Sequence, residues 1–324
     1  MNLRNGPTAS RDRAAAIDVM RRLAILMTVL ILIVAARPAL AAAPEIGKTF
    51  ETDGVTIWYE VRGAGEATPL FIVNGGPGFD HAYVHLGDPV WNKFEQDRRV
   101  VFYDQRGNGR SSELKPGQSC TLADQIADLD ALHKQLGIDK IDLLGHSWGG
   151  YLVMAYAARH PEHIRHLVIV DSAAPKLSDT KFLFNDIFPD TIEKQDAFNF
   201  ADTLGDKQAT ADSLALYDTM LFYSPEKREA GLPIMKQSDF HKAVNESISN
   251  DLARYDLNPE LPKFKFPTLV ITGRYDINVA PSVAWKIHKA IPGSRFVVLE
   301  RSGHIPYFEE PEAFGKALGE FLEQ

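Results

Sequence analysis

The segment Gly-His-Ser-Trp-Gly at residues 145–149 decides the fold, because an apolar run at 141–144 precedes it and a helix-like stretch at 151–159 follows it. A strand, a tight turn and a helix around Gly-x-Ser-x-Gly hold the serine in a strained conformation, so that its hydroxyl projects above the sheet. Only glycine fits two residues before and two after the serine, where a Cβ would crowd the turn. The sequence therefore predicts that Ser147 is a nucleophile at a helix N-terminus, where free N–H groups favour developing negative charge.

Apolar runs alternate with helical stretches on both sides of this turn. The predicted strands are residues 55–61, 69–73, 99–103, 141–144, 166–170, 267–272 and 295–299, and the predicted helices are residues 122–136, 280–291 and 312–322. Continuous apolar runs are typical of strands that are buried on both faces, as in a parallel sheet. This alternation indicates an α/β fold, with a mostly parallel sheet flanked by helices and joined by right-handed crossovers.

The alternation is interrupted between residues 175 and 261, where the chain reads as helices and loops rich in phenylalanine. We therefore expect the α/β core to comprise residues 44–174 and 262–324, with residues 175–261 inserted between them as a helical cap. Sites in open α/β sheets lie at the carboxyl ends of the strands, so the cap is expected to cover the site and shape its pocket. The alternative is that residues 175–261 form a structural insertion only.

The composition is that of an ordinary globular protein, with 45% hydrophobic and 24% charged residues in a chain of 324. This length suits one large α/β domain with an insertion. The formal net charge of −8 argues against a nucleic-acid partner. Cys120 is the only cysteine, so no disulfide can form within the chain, and no strand–turn–helix context makes it a nucleophile.

The first 43 residues have the pattern of a secretory signal peptide. Arginines at positions 11, 13, 21 and 22 precede an apolar run at residues 23–36, and a stretch of small residues follows at 39–43. The apolar run is shorter than the roughly 20 residues that a membrane span needs, so we expect cleavage after Ala41 or Ala43. The protein is then exported, as a periplasmic or secreted protein. The alternative is an uncleaved anchor, the only case in which we expect membrane contact.

A serine nucleophile needs a base, and the base needs an acid that orients it. Two predicted strands near the C-terminus lead into Asp276 and His304, so both residues are expected at the same sheet edge as Ser147. We predict that His304 takes the Ser147 proton and that Asp276 holds the imidazole tautomer. Asp171 also follows a predicted strand and is the alternative acid. His146, beside the nucleophile, is expected to point elsewhere.

An oxyanion hole needs two N–H groups directed at the reacting oxygen. We expect one from Trp148, the residue after the nucleophile, and the other from Gly76, in the loop after the predicted strand at 69–73. Gly75 beside it lets the backbone approach a bound substrate closely. No metal or cofactor is expected, because the chain has neither a phosphate-binding loop nor a His-Glu-x-x-His motif, and its glycine-rich loops lack a dinucleotide fingerprint.

Five segments together resemble the proline iminopeptidase family of α/β-hydrolases, over about residues 45–324. They are Gly-Gly-Pro-Gly at 75–78, Asp-Gln-Arg-Gly-Asn-Gly-Arg-Ser at 104–111, Gly-His-Ser-Trp-Gly-Gly at 145–150, Gly-Arg-Tyr-Asp at 273–276 and Gly-His at 303–304. The resemblance implies an α/β-hydrolase fold and release of an N-terminal residue, often proline, from a peptide. The chain departs from the family pattern at Asn74, where the family has histidine, and this bears on loop rigidity and substrate preference.

The resemblance also implies that acidic residues of the cap bind the free ammonium group of the substrate. A carboxylate is what stabilises such a group when it is buried. The candidates are Glu193, Glu226, Glu229 and Glu246, of which Glu246 sits most like a cap glutamate of the family. The alternative for each of them is an exposed, solvated side chain.

We therefore predict a serine hydrolase with the triad Ser147, Asp276 and His304 that works through an acyl-enzyme on a small peptide or ester. The preferred activity is that of an iminopeptidase-type aminopeptidase. The alternative is a carboxylesterase or related hydrolase with the same triad, which the lack of an ammonium-binding carboxylate would favour. A further alternative, from a different class, is a non-catalytic binding protein with this fold.

Overall fold

The computed structural model describes residues 47–206 and 208–324. The predicted signal peptide, residues 1–43, lies outside these residues. Within them, no helix combines the length and the apolar character that a membrane crossing requires. The central feature of the described chain is an eight-stranded sheet.

The strands of this sheet are β1 (Lys48–Thr52), β2 (Val55–Arg62), β3 (Ala67–Val73), β4 (Arg98–Tyr103), β5 (Ile141–His146), β6 (Ile164–Val170), β7 (Thr268–Gly273) and β8 (Arg295–Leu299). They lie side by side in the order β1-β2-β4-β3-β5-β6-β7-β8. Strand β2 pairs antiparallel with β1 and with β4, and the other neighbours are parallel. The predicted α/β fold with a mostly parallel sheet is thereby confirmed.

Eleven α-helices accompany the sheet within the described residues. They are α1 (Asp88–Phe94), α2 (Leu122–Gln135), α3 (Trp148–Arg159), α4 (Phe184–Ile187), α5 (Pro189–Thr203), α6 (Ala209–Thr219), α7 (Pro225–Met235), α8 (Lys242–Leu252), α9 (Pro281–Ala290), α10 (Pro306–Glu309) and α11 (Pro311–Leu322). Short 3-10 helices lie at Ala82–Gly87, Pro161–His163, Leu177–Asp179 and Leu261–Lys263. The five helices α4 to α8 follow one another between β6 and β7, in the segment for which the sequence predicted a cap.

Apolar side chains from alternate strand positions pack on both faces of the sheet. Leu143 of β5 belongs to a cluster with side chains of α2 and α3, whereas its neighbour Leu144 belongs to a cluster with side chains of α1 and α11. Successive residues of a strand point to opposite faces, and burial of each such leucine stabilises the fold by roughly 1.5–3 kcal/mol. Burial on both faces is the reason that these strands are mainly apolar.

The parallel strands end at one edge of the sheet. Val73, the last residue of β3, pairs with Gly145 of β5, and His146 at the end of β5 pairs with Val170 at the end of β6. The chain leaves β5 at Ser147, and the loops after β7 and β8 leave from the same edge. The predicted site residues therefore collect where parallel strands present their carboxyl ends, which is the usual place for a site in such a sheet.

Candidate active site

The turn between β5 and α3 holds Ser147 in a strained backbone conformation. Its φ of 58° and ψ of −121° lie in a region that residues other than glycine rarely adopt. A Cβ at Gly145 would collide with the carbonyl group of Gly149, and a Cβ at Gly149 would collide with the carbonyl oxygen of Val73. Both glycines are therefore required for this turn, which places Ser147 at the N-cap of α3.

A hydrogen bond joins the two residues that the sequence proposed as base and acid. Asp276 Oδ2 accepts from His304 Nδ1 at 2.8 Å, and both residues are buried. The other oxygen of Asp276, Oδ1, accepts from the backbone N–H groups of Asn278 and Val279 at 2.8 and 2.9 Å. Because an ionised carboxylate only accepts hydrogen bonds, the proton of neutral His304 lies on Nδ1, and Nε2 presents a lone pair.

The lone pair of His304 Nε2 faces Asn278. The side-chain Nδ2 of Asn278 lies 2.8 Å from Nε2 and donates to it. Ser147 and His304 line the same small cavity, of about 30 Å³. Among the hydrogen bonds of the described residues, none joins Ser147 Oγ to His304, and catalytic hydrogen bonds are often long before a substrate binds. His304 Nε2 could take a proton from Ser147 only after the Asn278 side chain has moved away from Nε2. The sequence did not single out Asn278.

Asp171, the alternative acid, forms no hydrogen bond to His304 in the described chain. Its Oδ1 accepts from the Thr272 hydroxyl at 2.8 Å and from the Gly273 N–H at 3.0 Å. Burial, together with the nearby Asp276 carboxyl, raises the pKa of Asp171 well above its usual range, because a buried charge beside a like charge is unfavourable. Asp171 thus retains its proton more strongly than an ordinary carboxyl. A residue that orients an imidazolium must instead carry a negative charge, so Asp171 is less suited to that role.

His146, beside Ser147, belongs to a separate chain of hydrogen bonds. The Gly75 N–H donates to the Tyr83 hydroxyl at 2.5 Å, this hydroxyl lies 2.8 Å from His146 Nδ1, and His146 Nε2 lies 2.7 Å from the carbonyl oxygen of His304. These contacts fit one proton arrangement, in which Tyr83 donates to Nδ1 and Nε2–H donates to the carbonyl. Burial lowers the pKa of His146 well below its usual value, so its neutral ring supports the backbone of His304.

The residues predicted for the oxyanion hole, Gly76 and Trp148, line a cavity together with Ser147. Gly76 has a φ of 127°, which favours glycine. A Cβ at Gly75 would approach Ser147 Cβ to 2.8 Å, and the Gly75 N–H already donates to Tyr83. Of these two glycines, Gly76 is therefore the better source of an N–H group for a substrate oxygen.

Asn74, where the chain departs from the family pattern, fixes the loop after β3. Its Nδ2 donates to the backbone carbonyl oxygens of Phe79 and Asp80 at 2.9 and 3.1 Å, and its backbone carbonyl oxygen accepts from Gln105 Nε2 at 3.0 Å. Gln105 Oε1 in turn accepts from the indole N–H of Trp148 at 2.8 Å. Through Gln105, the asparagine therefore links this loop to Trp148, the residue that follows Ser147.

A cavity of about 380 Å³ extends from Ser147 to the helices between β6 and β7. Its larger lining side chains are mostly apolar or aromatic, and beyond Ser147 its polar lining is uncharged, formed by Gln195, Tyr217, Asn245, Ser249 and Asn278. In the part of the chain that the structure describes, no aspartate or glutamate lines this cavity or the small one beside it. Among the described residues, the cavity next to Ser147 therefore has no carboxylate in its lining.

The glutamates proposed to bind a substrate ammonium group lie outside both linings. The Glu246 side chain is 60% exposed, and it lies 4.0 Å from Lys242, one turn away on α8. Glu193, Glu226 and Glu229 are exposed as well. Glu246 and the other three candidates are therefore exposed to solvent, and none of these four residues lines either cavity.

One carboxyl between β6 and β7 is buried without a full set of partners. Asp218 lies on α6, the helix that also contributes Leu214 and Tyr217 to the cavity lining. The residue is 6% exposed, and its Oδ1 has no hydrogen-bond partner among the described residues. Burial raises the pKa of Asp218 to about 7. The sequence did not single it out, because one aspartate in a helix carries no signal of burial.

The fold, with Ser147, Asp276 and His304 at the carboxyl edge of its sheet, is that of an α/β hydrolase. The family described as alpha/beta hydrolase fold matches residues 68–311. Solved structures agree with this class. An enol-lactonase from Burkholderia xenovorans LB400 is 25% identical, with a TM-score of 0.67 over 86% of this chain and 100% of its own. A hydrolase from Pseudomonas aeruginosa PA01 is 23% identical, with a TM-score of 0.68 over 87% of this chain and 100% of its own.

Curated relatives narrow this class to a family. Proline iminopeptidase from Saccharolobus solfataricus is 32% identical over 84% of this chain and 90% of its own length. Proline iminopeptidase from Clostridium botulinum is 30% identical over 82% of this chain and 94% of its own length. The chain belongs to the proline iminopeptidase family of α/β-hydrolases, as its sequence motifs predicted, and it is a hydrolase.

Proposed function

We propose that this protein is a serine hydrolase that forms an acyl-enzyme on Ser147. The observation that carries the proposal is the pairing of His304 with Asp276 at 2.8 Å, beside a cavity that Ser147 and His304 both line. Ser147 supplies the nucleophile, His304 the general base, and Asp276 the negative charge that orients the imidazole. All three follow strands at the carboxyl edge of the sheet.

In the acylation step, His304 Nε2 takes the proton of Ser147 while Oγ bonds to the carbonyl carbon of the substrate. The carbonyl electron pair moves onto the oxygen, and the N–H groups of Trp148 and Gly76 stabilise this negative charge. When the intermediate collapses, the bond to the leaving group breaks, and the leaving group takes the proton from His304. Water then attacks the acyl-enzyme in the same way and releases the acid. Asn278 leaves Nε2 at the start of each half-reaction.

Release of an N-terminal residue from a peptide is the activity that the curated relatives support, since both are named proline iminopeptidases. An N-terminal proline carries an ammonium group next to the scissile carbonyl, and a buried ammonium group requires a carboxylate partner. Asp218 suits this role better than Glu246, because Asp218 is buried on a helix that lines the cavity and has an oxygen without a partner. Its side chain has to turn toward the cavity to reach a substrate.

Hydrolysis of an uncharged ester is the second candidate, and the lining of the cavity favours it. No carboxylate lines the cavity within the described chain, and most of the lining is apolar. Burial of an ammonium group without a partner there costs on the order of several kcal/mol of lost hydration free energy. Burial of an apolar acyl group instead contributes about 25 cal/mol of binding free energy per Å². The similarity to an enol-lactonase structure also supports this candidate.

Three substrates separate the two activities. We would assay proline β-naphthylamide, its N-acetylated form and p-nitrophenyl butyrate, with Ser147→Ala as the control. Cleavage of only the free-amine substrate supports the aminopeptidase, and Asp218→Asn should then lower its kcat/KM by about tenfold or more. Cleavage of only the ester, lost in Ser147→Ala, keeps the mechanism and assigns an esterase. Undiminished turnover of every substrate by Ser147→Ala would contradict the proposed mechanism.

We also propose that the protein is exported after removal of its first residues. The support is the order of basic, apolar and small residues within residues 1–43. Protein recovered from the periplasm of expressing cells should begin at Ala42 or Pro44 when sequenced from its N-terminus. A chain that still begins at Met1 and sediments with the membranes would favour the uncleaved anchor.

A further inference from the structure

Three groups of histidine and carboxylate side chains in the described chain place potential metal-ligand atoms within 4.8 Å of one another. The first belongs to the active site and consists of His146, Asp171 and His304. In the second, each side chain already pairs with a charged neighbour, namely Glu60 with Arg62, His81 with Asp104 and His85 with Asp88. The third group, Asp130, His160 and His163, lies outside the active site, and one of its ligand atoms, Asp130 Oδ1, has no hydrogen-bond partner in the described chain.

The third group joins two neighbouring parts of the fold. Asp130 lies on α2, His160 lies directly after α3, and His163 lies in the short 3-10 helix that leads into β6. His163 Nδ1 is 3.6 Å from Asp130 Oδ1, and the two imidazole rings stack in parallel with centroids 5.3 Å apart. Ligand atoms of a tetrahedral site with bonds of about 2.0–2.1 Å are about 3.4 Å apart, so small side-chain rotations are sufficient.

Asp130 is the residue that points to a cation. It is 9% exposed, and its Oδ1 is buried without a hydrogen-bond partner among the described residues, while its Oδ2 pairs with Lys134 Nζ at 2.6 Å. A buried carboxylate oxygen without a donor is unfavourable, and a bound cation relieves that deficit. His133, which stacks on His163 with centroids 4.3 Å apart, likewise has a buried Nδ1 without a partner in the described chain.

A second carboxylate adds negative charge beside the histidines. Glu162 Oε1 lies 3.7 Å from His160 Nδ1 and 3.7 Å from His163 Nε2, so its negative charge favours a cation near the two imidazoles. Arg159 lines the same surface cavity as Asp130 and His160, a cavity of about 340 Å³. Its side chain is exposed, so its positive charge is screened by solvent.

We propose that Asp130, His160 and His163 bind one divalent transition-metal ion, for which Zn²⁺ is the appropriate probe. Two imidazoles and a carboxylate are typical ligands of zinc, whereas Mg²⁺ and Ca²⁺ prefer oxygen ligands alone. The Tyr156 hydroxyl, 3.0 Å from His163 Nδ1, is a neutral contact that a metal at this nitrogen displaces. The ion links α2 to the connection between α3 and β6, so it stabilises the fold and takes no part in the reaction at Ser147.

Zinc binding by the full chain tests this proposal. Tag-free protein, treated with EDTA and dialysed, is titrated with ZnCl2 by calorimetry beside the variants Asp130→Asn and His160→Gln. The control is His288→Gln, which changes a half-buried histidine on α9, outside the group. We expect one Zn²⁺ per chain with a micromolar Kd, weakened about tenfold or more in both site variants and unchanged in the control. MgCl2 and CaCl2 should not bind.

Thermal unfolding gives a second measurement, because an ion that binds only the folded chain raises Tm. At a 100-fold excess of Zn²⁺ over Kd we expect a rise of roughly 5 °C in the wild type and in His288→Gln, but not in the site variants. Circular dichroism of the metal-free variants shows which of them are folded, and either folded site variant is sufficient for the comparison. Failure of Zn²⁺ to bind the wild type, or binding by both site variants as tight as that of the wild type, overturns the proposal.

Discussion

Asp276→Asn should nearly abolish turnover, because the hydrogen bonds of this carboxylate dictate how an amide would lie in its place. Oδ1 accepts from the backbone N–H groups of Asn278 and Val279 at 2.8 and 2.9 Å. An asparagine keeps its oxygen at this position, since its NH2 group cannot accept, and so directs that NH2 group at His304 Nδ1. His304 then accepts at Nδ1, carries its proton on Nε2, and can no longer take the proton of Ser147.

The size of the loss follows from this change of tautomer. A triad histidine held in the wrong tautomer loses about 10⁴-fold in kcat, which corresponds to about 5.5 kcal/mol of barrier. Here the Asn278 amide, 2.8 Å from His304 Nε2, would face the Nε2 proton as a second donor, which opposes the wrong tautomer unless this amide turns away. We therefore expect kcat/KM to fall by about 10³–10⁴-fold, which is the wrong-tautomer loss reduced by up to about one such conflict.

Initial rates on a substrate that the wild type cleaves measure this effect, with Asp171→Asn as the matched control. Asp171 is buried beside Asp276 but is held toward its protonated form, so its amide should keep activity within about tenfold of the wild type. Thermal melts of both variants verify that they are folded. If Asp276→Asn kept a tenth of the wild-type kcat/KM, or if Asp171→Asn lost as much as Asp276→Asn, Asp276 would not be the orienting acid.

Three further predictions concern the pocket, the base and the turn. Burial raises the pKa of Asp218 to about 7. An acid whose pKa is raised on folding lowers the stability of the folded protein as pH rises from the unfolded pKa toward the folded pKa. Asp218→Asn should therefore stabilise the protein at pH 8, by up to about 4 kcal/mol, and much less at pH 4; equal changes in Tm would contradict this. Asn278→Ala frees His304 Nε2 and should speed fluorophosphonate labelling of the nucleophile about fivefold, the equivalent of one hydrogen bond, whereas slower labelling would show that Asn278 assists the base. Gly149→Ala places a Cβ against carbonyl oxygens at the end of β3 and should lower the free energy of unfolding, measured with denaturant, by about 1–3 kcal/mol. The control Gly315→Ala lies in α11, where the new Cβ makes only an ordinary van der Waals contact, and it should be neutral or stabilising.

The central strands were predictable because burial on both faces leaves continuous apolar runs, such as residues 69–73 and 167–170. The edge strand β1 was not predicted, since its side chains alternate between exposed and half-buried and none is fully buried. Strand β5 extends two residues beyond the predicted 141–144, because Gly145 and His146 still pair with β6. Pairing of this kind depends on the neighbouring strand and leaves no trace in local composition.

The positions of the candidate site residues were predictable, whereas their contacts were not. Asp276 and His304 stand out because each follows an apolar run that ends at one sheet edge. Tyr83 and Asn278 carry no such pattern, and their hydrogen bonds arise only when distant segments pack together. The charge of the pocket likewise depends on which face of each helix turns inward, so sequence position alone could not show that Glu246 faces the solvent.

Mass spectrometry of the intact protein after reaction with a fluorophosphonate tests most directly whether Ser147 is an activated nucleophile. We expect one adduct per chain, which proteolysis maps to the peptide that contains Ser147. The adduct should be absent from Ser147→Ala and should form far more slowly in His304→Ala, because the base that activates the hydroxyl is missing. A folded wild-type protein that stays unmodified, or an adduct that persists in Ser147→Ala, would contradict the proposed mechanism, and the first of these results would favour a non-catalytic binding protein.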